Sequence, residues 1–182
     1  MASLNNRLRL AIGKYKFQQE IKGFHRDRKV MSMKDAKRIG LLYNATESED
    51  FEIVKTYVRK LLADKKEVTS LGFVDKKELP ANQFAKLGLD FFTRKNLNWY
   101  MIPSSPLVTN FINEDFDIII NLNIGMCFPL QYISAISKAK YRVGQYDLKN
   151  AIYYDLMIHT PKNETLEHFI KETDFYLNKI TT

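Results

Sequence analysis

Apolar residues recur at three- and four-residue intervals from Leu4 to about Phe24, but on two lines: Leu4, Leu8, Ala11, Ile12 and Tyr15 form one stripe, and Leu10, Phe17 and Ile21 a second. The spacing predicts a helix with apolar surface facing two ways, weakened at Gly13 and Gly23. The polar run His25-Arg26-Asp27-Arg28-Lys29 then reads as a solvated or ligand-contacting linker. From Arg38 the pattern changes. Residues 38–44 are a short apolar run closed by Asn44, the mark of a buried strand. Thr46 and Glu49 have the spacing of a capping box ahead of Phe51, Val54, Val58, Leu61 and Leu62 at helical period. Val68 to Val74 is a second strand, followed by a loop from Asp75 to Pro80. Residues 90–93 and 99–102 read as strands with a turn at 94–96 between them.

Ser105 and Pro106 supply a cap and a first-turn proline for a helix through Leu107, Val108, Phe111 and Ile112. Residues 115–122 hold three consecutive isoleucines without alternation, which predicts a strand buried on both faces. A helix near 129–140, a strand at 141–144, an apolar run at 151–158 and an amphipathic helix from about Asn163 to Ile180 complete the chain. Strands alternating with helices predict an α/β fold: a doubly wound, mostly parallel sheet, Rossmann- or flavodoxin-like but degenerate, at residues 38–182. Residues 1–37 form a basic, helical N-terminal arm, expected to be poorly ordered alone and structured against a partner.

With 182 residues, 45% of them hydrophobic, the chain can bury one substantial core. Cys127 is the single cysteine, which removes an intramolecular disulfide framework and any multi-cysteine metal cluster. Apolar runs fall far short of the roughly 18 residues a spanning helix needs, and cations break up any secretory core near the N-terminus. These features lead us to expect a cytoplasmic protein without stable membrane insertion.

The net charge of +7 is unevenly placed. Residues 1–38 hold eleven cations (Arg7, Arg9, Lys14, Lys16, Lys22, Arg26, Arg28, Lys29, Lys34, Lys37 and Arg38) against three anions, a local charge of +8. The remaining 17 cations and 18 anions leave a body of −1. Interleaved with Tyr15, Phe17, Phe24 and His25, the arm combines phosphate neutralisation with flat side chains able to stack on bases. The eleven cations are therefore the candidate RNA-binding residues.

Within the body, the turn after the first strand has carboxylates at Glu47, Glu49 and Asp50 and no glycine, a poor cradle for a pyrophosphate. The turn after the isoleucine strand is the better candidate ligand site, with Asn121, Asn123, Gly125 and Cys127. Cys127 lacks any recognisable triad spacing to His25, His159 or His168, and a buried, inert thiol is the simpler reading. Asp115 and Asp117 would share a face at the mouth of a strand, but Glu114-Asp115 more simply ends the preceding helix. No catalytic residue, metal site or cofactor is expected.

Two resemblances add to this reading. Residues 115–122, 129–140 and Tyr141-Arg142-Val143-Gly144 look like the strand–helix–strand of the N-terminal Rossmann-like half of heptosyltransferase-type glycosyltransferases. Residues 38–180, with Ile39-Gly40-Leu41-Leu42-Tyr43-Asn44 and Asp117-Ile118-Ile119-Ile120-Asn121, resemble a short uncharacterised family of Bacteroidota. A basic extension on a small α/β body is also similar in architecture to lineage-specific ribosomal proteins. That similarity implies a non-enzymatic, ribosome-associated protein whose arm contacts ribosomal RNA beside neighbouring ribosomal proteins. The alternatives are a small ligand-binding or glycosyltransferase-like enzyme and, third, a peripheral membrane protein.

Overall fold

A computed structural model describes residues 2–79, 88–161 and 164–181. Among them, six strands form one sheet: β1 (Arg38–Asn44), β2 (Glu67–Val74), β3 (Leu89–Thr93), β4 (Ile118–Asn121), β5 (Tyr141–Gln145) and β6 (Leu156–Ile158). Every pairing is parallel and the spatial order is β3-β2-β1-β4-β5-β6. The chain first winds outward from β1 on one side, then returns and winds outward on the other, so the order reverses between β1 and β4.

The helices are α1 (Ala2–Lys22), α2 (Ser48–Ala63), α3 (Pro106–Asn113), α4 (Phe128–Ile136) and α5 (Leu166–Lys179). One face of the sheet carries α2 and α5, through Val54, Val58, Leu61, Phe169, Ile170 and Leu177. The other carries α3 and α4, with α1 outside α4. The isoleucine run shows why a strand between two helical layers does not alternate: Ile118 and Ile120 enter the α2/α5 core, while Ile119 enters the α3/α4 core. All three are fully buried.

The expectation for α3 is met by the predicted chemistry. Ser105 caps α3 by accepting the Val108 N–H, with Pro106 in the first turn. Others are revised. The last helix begins at Leu166 rather than near Asn163, and Thr165 caps it by accepting the His168 N–H. Thr46 does not cap α2: Glu47 holds that position without a side-chain bond, and the Thr46 hydroxyl accepts the Asp75 N–H, joining the loops after β1 and β2. Residues 99–102 are not a strand. They form a tight turn in which the Asn98 carboxamide accepts the N–H groups of Tyr100 and Ile102, and Met101 is left-handed at φ 70°. The apolar run 151–158 divides into a 3-10 turn (Leu148–Tyr153) and β6. Pro80 of the predicted loop and Asn163, the expected start of the last helix, lie outside the described residues.

The largest revision concerns the arm, which is structured against its own body. The Leu10, Phe17 and Ile21 stripe packs inward, with Phe17 fully buried against the rings of Phe128, Tyr132 and Tyr153. Leu8, Ala11 and Tyr15 of the other stripe face outward. Gly13, read from sequence as a weak point, is the point of closest approach: a Cβ there would stand 2.1 Å from the Tyr100 carbonyl oxygen. Residues 24–37 then cross the amino-terminal edge of the sheet as a strap. Along it the Lys29 N–H donates to the Lys140 carbonyl and the Met33 N–H to Leu177, while Met31, Met33 and Ala36 enter the α2/α5 core. The linker therefore supplies core residues that its polar opening run concealed.

Candidate functional site

The eleven arm cations divide between two places. Five lie on α1, which holds one carboxylate, Glu20, so the helix is +4. Arg7, Lys16 and Lys22 are exposed there. Arg9 donates to the Trp99 carbonyl and its guanidinium lies 5.9 Å from the centre of the Trp99 ring. Lys16 sits 4.6 Å over the Tyr100 ring, and Lys14 reaches the Met126 sulfur at 3.8 Å. Tyr15 and Trp99 each leave more than half of their surface open to solvent, at 64% and 55%. The opposite helical layer contrasts with this: α2 and α5 together carry six carboxylates and five cations.

The other six cations belong to the strap and its junction with β1. Arg26 is withdrawn from the candidate RNA contacts. Its guanidinium is buried, donating to the carbonyls of Ala139 and Lys140 and to the Asp155 carboxylate. Arg28 pairs with the same carboxylate from its solvent side. Arg38 faces Glu67 and Glu114, while Lys29, Lys34 and Lys37 are exposed. Asp117 has a structural role, since its carboxylate accepts the main-chain N–H groups of Lys37 and Arg38 and pairs with Lys140. Asp115 is exposed and does not join it.

At the carboxyl-terminal edge, where strand order reverses, lies a cavity of about 340 Å³ lined by Asn44, Glu49, Asp50, Asn123 and Glu164 among others. Burial, Glu49 and Glu47 hold the Asp50 carboxyl above its usual range. Three carboxylates at the place where this fold ordinarily takes a phosphate would repel one.

A second cavity, of about 220 Å³, opens beside it over the ends of β4 and β5. Three of the four residues of the predicted ligand turn, Asn121, Asn123 and Gly125, line it, with Gln131, Gln145 and Tyr154. The turn holds itself together: the Asn121 carboxamide accepts the Asn123 N–H and donates to the Tyr154 hydroxyl, Asn123 donates to the Gly125 carbonyl, and Gln145 accepts the Gly125 N–H. Gly125 makes the turn at φ 84°, a backbone angle that favours glycine. Cys127 is not part of the lining. It precedes α4 as a buried residue whose thiol is pushed up to about 12 by burial, which leaves it a poor nucleophile or ligand. His25 bonds to the Gly23 carbonyl, His159 lies tilted beside the Tyr146 ring and His168 pairs with Glu164, and none of these contacts involves Cys127. Among the described residues, no group of three or more histidines, cysteines or carboxylates is placed to hold a metal ion. Nor is any described helix long and apolar enough to cross a membrane.

A model of one protein family, the family of unknown function DUF6913, matches residues 9–180. The chain belongs to that family. No curated protein and no solved structure matches it. In this DUF6913 chain the match begins inside α1 and runs through the strap, so it takes in most of the basic segment together with the sheet.

Two residues escaped the sequence reading. Gln131 is the lone amide in the nine-residue α4, Phe-Pro-Leu-Gln-Tyr-Ile-Ser-Ala-Ile, and that interruption of a mostly apolar helix was the available signal. Trp99 read as the start of a strand, and only the turn built on Asn98 places it beside α1.

Proposed function

We propose that this protein binds RNA without catalysing a reaction on it, with the outward face of α1 lying along the phosphate backbone. The observation that supports this reading is the way Phe17 and Gly13 fix the helix. Its inner stripe is used up on α4, and Arg7, Lys16, Lys22 and the flat ring of Tyr15 remain outward beside Trp99. Cations neutralise phosphates, and exposed rings stack on unpaired bases whatever their sequence. Ribosomal RNA is the first RNA to test, with neighbouring ribosomal proteins as accompanying partners. The role expected of the arm is then confined to α1 and the exposed strap lysines, because Arg26 is buried in an ion pair.

The test is co-sedimentation of the full chain with ribosomal subunits, together with binding to a structured RNA across a salt series. A combined Arg7→Gln, Lys16→Gln, Lys22→Gln variant should weaken both. Its salt slope should fall by about 0.7 to 0.9 for each phosphate contact removed. Binding that is independent of salt, or unchanged in this variant, would overturn the reading.

A further inference from the structure

The 220 Å³ cavity at the start of α4 has an unusual wall for the end of a parallel sheet. Among the described residues it is built from carboxamides and tyrosines beside Gly125 and Met126, with Asp147 as the one carboxylate. The Asp147 side chain already accepts the Lys149 N–H. The carboxamides of Asn121, Asn123 and Gln145 are engaged in holding the turn. Gln131 is different. It is only 7% exposed and lines the cavity, yet its carboxamide has no hydrogen-bond partner among the described residues. Its amide faces the cavity, and of the carboxamides in this wall it is the one left free to bond a ligand there.

The chemistry of that ligand follows from the wall. Among the described residues no cation lines the cavity to hold a phosphate or other anion, and the one carboxylate that would meet a cation is the engaged Asp147. A carboxamide presents one donor and one acceptor side by side, the complement of the adjacent donor and acceptor carried by the edge of a nucleobase. The space suits one flat ring, and Tyr146, 44% exposed at the rim, offers a face for stacking. The cavity also adjoins the α1 surface, because Met126 on its lip is the residue that Lys14 touches. We infer that this cavity takes a single unstacked nucleobase, held through Gln131, from an RNA strand whose phosphates run along α1. The inference rests on the RNA-binding reading for the strand, but its pocket chemistry can be tested apart from it.

The experiment compares two single-stranded RNA probes of equal length and charge, one intact and one carrying abasic positions at its centre. The protein is the full chain as wild type, Gln131→Met and Lys14→Gln. The wild type should bind the intact probe at least about tenfold more tightly than the abasic one, in line with the stacking and edge contacts of one base. Gln131→Met should lose most of that preference, keeping only what the rings beside α1 supply, with wild-type affinity and salt slope for the abasic probe. Lys14→Gln should weaken both probes alike. Equal binding of the two probes by the wild type, or an unchanged preference in Gln131→Met, overturns the pocket while leaving the phosphate contacts of α1 intact.

A second measurement needs neither RNA binding nor a folded variant. With millimolar uridine, cytidine, adenosine or guanosine added to the wild type, the side-chain amide resonances of Gln131 and Asn123 should shift for at least one nucleoside and not for ribose 5-phosphate. If no nucleoside shifts them, the pocket reading fails. If the nucleosides shift them but neither probe binds, the α1 reading fails instead.

Discussion

Arg26 and Asp155 form an ion pair in which both partners are withdrawn from water, with Nη2 2.5 Å from Oδ2 and side-chain exposures of 8% and 7%. The carboxylate also accepts the Arg142 N–H from β5 and bonds from Nε and Nη2 of Arg28. One side chain, immediately before β6, thus fastens the strap to the amino-terminal edge of the sheet. Removing it would leave Arg26 as an uncompensated buried charge. Asp155→Ala should cost about 3–5 kcal/mol, whereas Arg28→Ala, removing a partner that is 69% exposed, should cost no more than about 1 kcal/mol. Urea titrations of the two variants against wild type measure both values, and similar losses would show that Arg26 does not depend on Asp155.

The same carboxylate makes stability sensitive to acid. Burial disfavours the charged form of Asp155, but Arg26, the Arg142 N–H and Arg28 outweigh it and hold its carboxyl below the usual range. Burial likewise opposes ionisation of Asp117, and Lys140 with the N–H groups of Arg38 and Lys37 outweighs it. A carboxyl with a lowered folded pKa binds fewer protons folded than unfolded. Its stabilisation is complete above the unfolded value of about 3.9 and is lost as pH falls through the folded one. Stability should therefore hold from neutrality to about pH 5 and drop below about pH 4. Asp155→Asn should be weaker at neutral pH and lose less on further acidification, and a parallel pH profile in that variant would remove Asp155 from the effect.

Deleting residues 1–36 is the obvious way to separate arm from body, and the sequence alone predicts that a folded body would remain. The packing predicts otherwise. Phe17, Met31, Met33 and Ala36 are all buried in the two cores, and their removal would expose Phe128, Tyr132 and Leu177. The truncated chain should melt well below wild type or aggregate. Phe17→Ala alone should cost about 3 kcal/mol or more. Gly13→Ala should displace α1 from the Tyr100 turn and increase hydrogen exchange along the helix with less effect on the strands. A truncated chain with wild-type melting would show that the segment packs only loosely.

The strands were legible because a buried parallel strand leaves a mark in composition. β1 spans the apolar run 38–44, and the isoleucines of β4 lie between two helical layers as their lack of alternation requires. The cap of α3 was legible for a related reason, since a hydroxyl three residues before the N–H it accepts is a local relation. The same local relation misled at Thr46, where a tertiary neighbour, Asp75, competed for the hydroxyl and won. Periodicity found both apolar stripes of α1 but could not say which one would meet α4. Charge counting grouped Arg26 with Arg7, although one is buried and the other open, because sequence holds no record of the carboxylate 129 positions away. The turn at Asn121 to Gly125 was found from its amides, while Gln131 went unremarked inside an apolar helix.

The strap has a consequence for the order in which the molecule is completed. Its anchors, the Lys140 carbonyl, the Asp155 carboxylate and the Leu177 carbonyl, all lie in the last third of the chain. During synthesis the strap thus emerges well before the groups that seat it. Arg26 stays uncovered on the nascent chain until Asp155 has emerged, and Met31 and Met33 until α5 has, so the strap closes the fold rather than starting it.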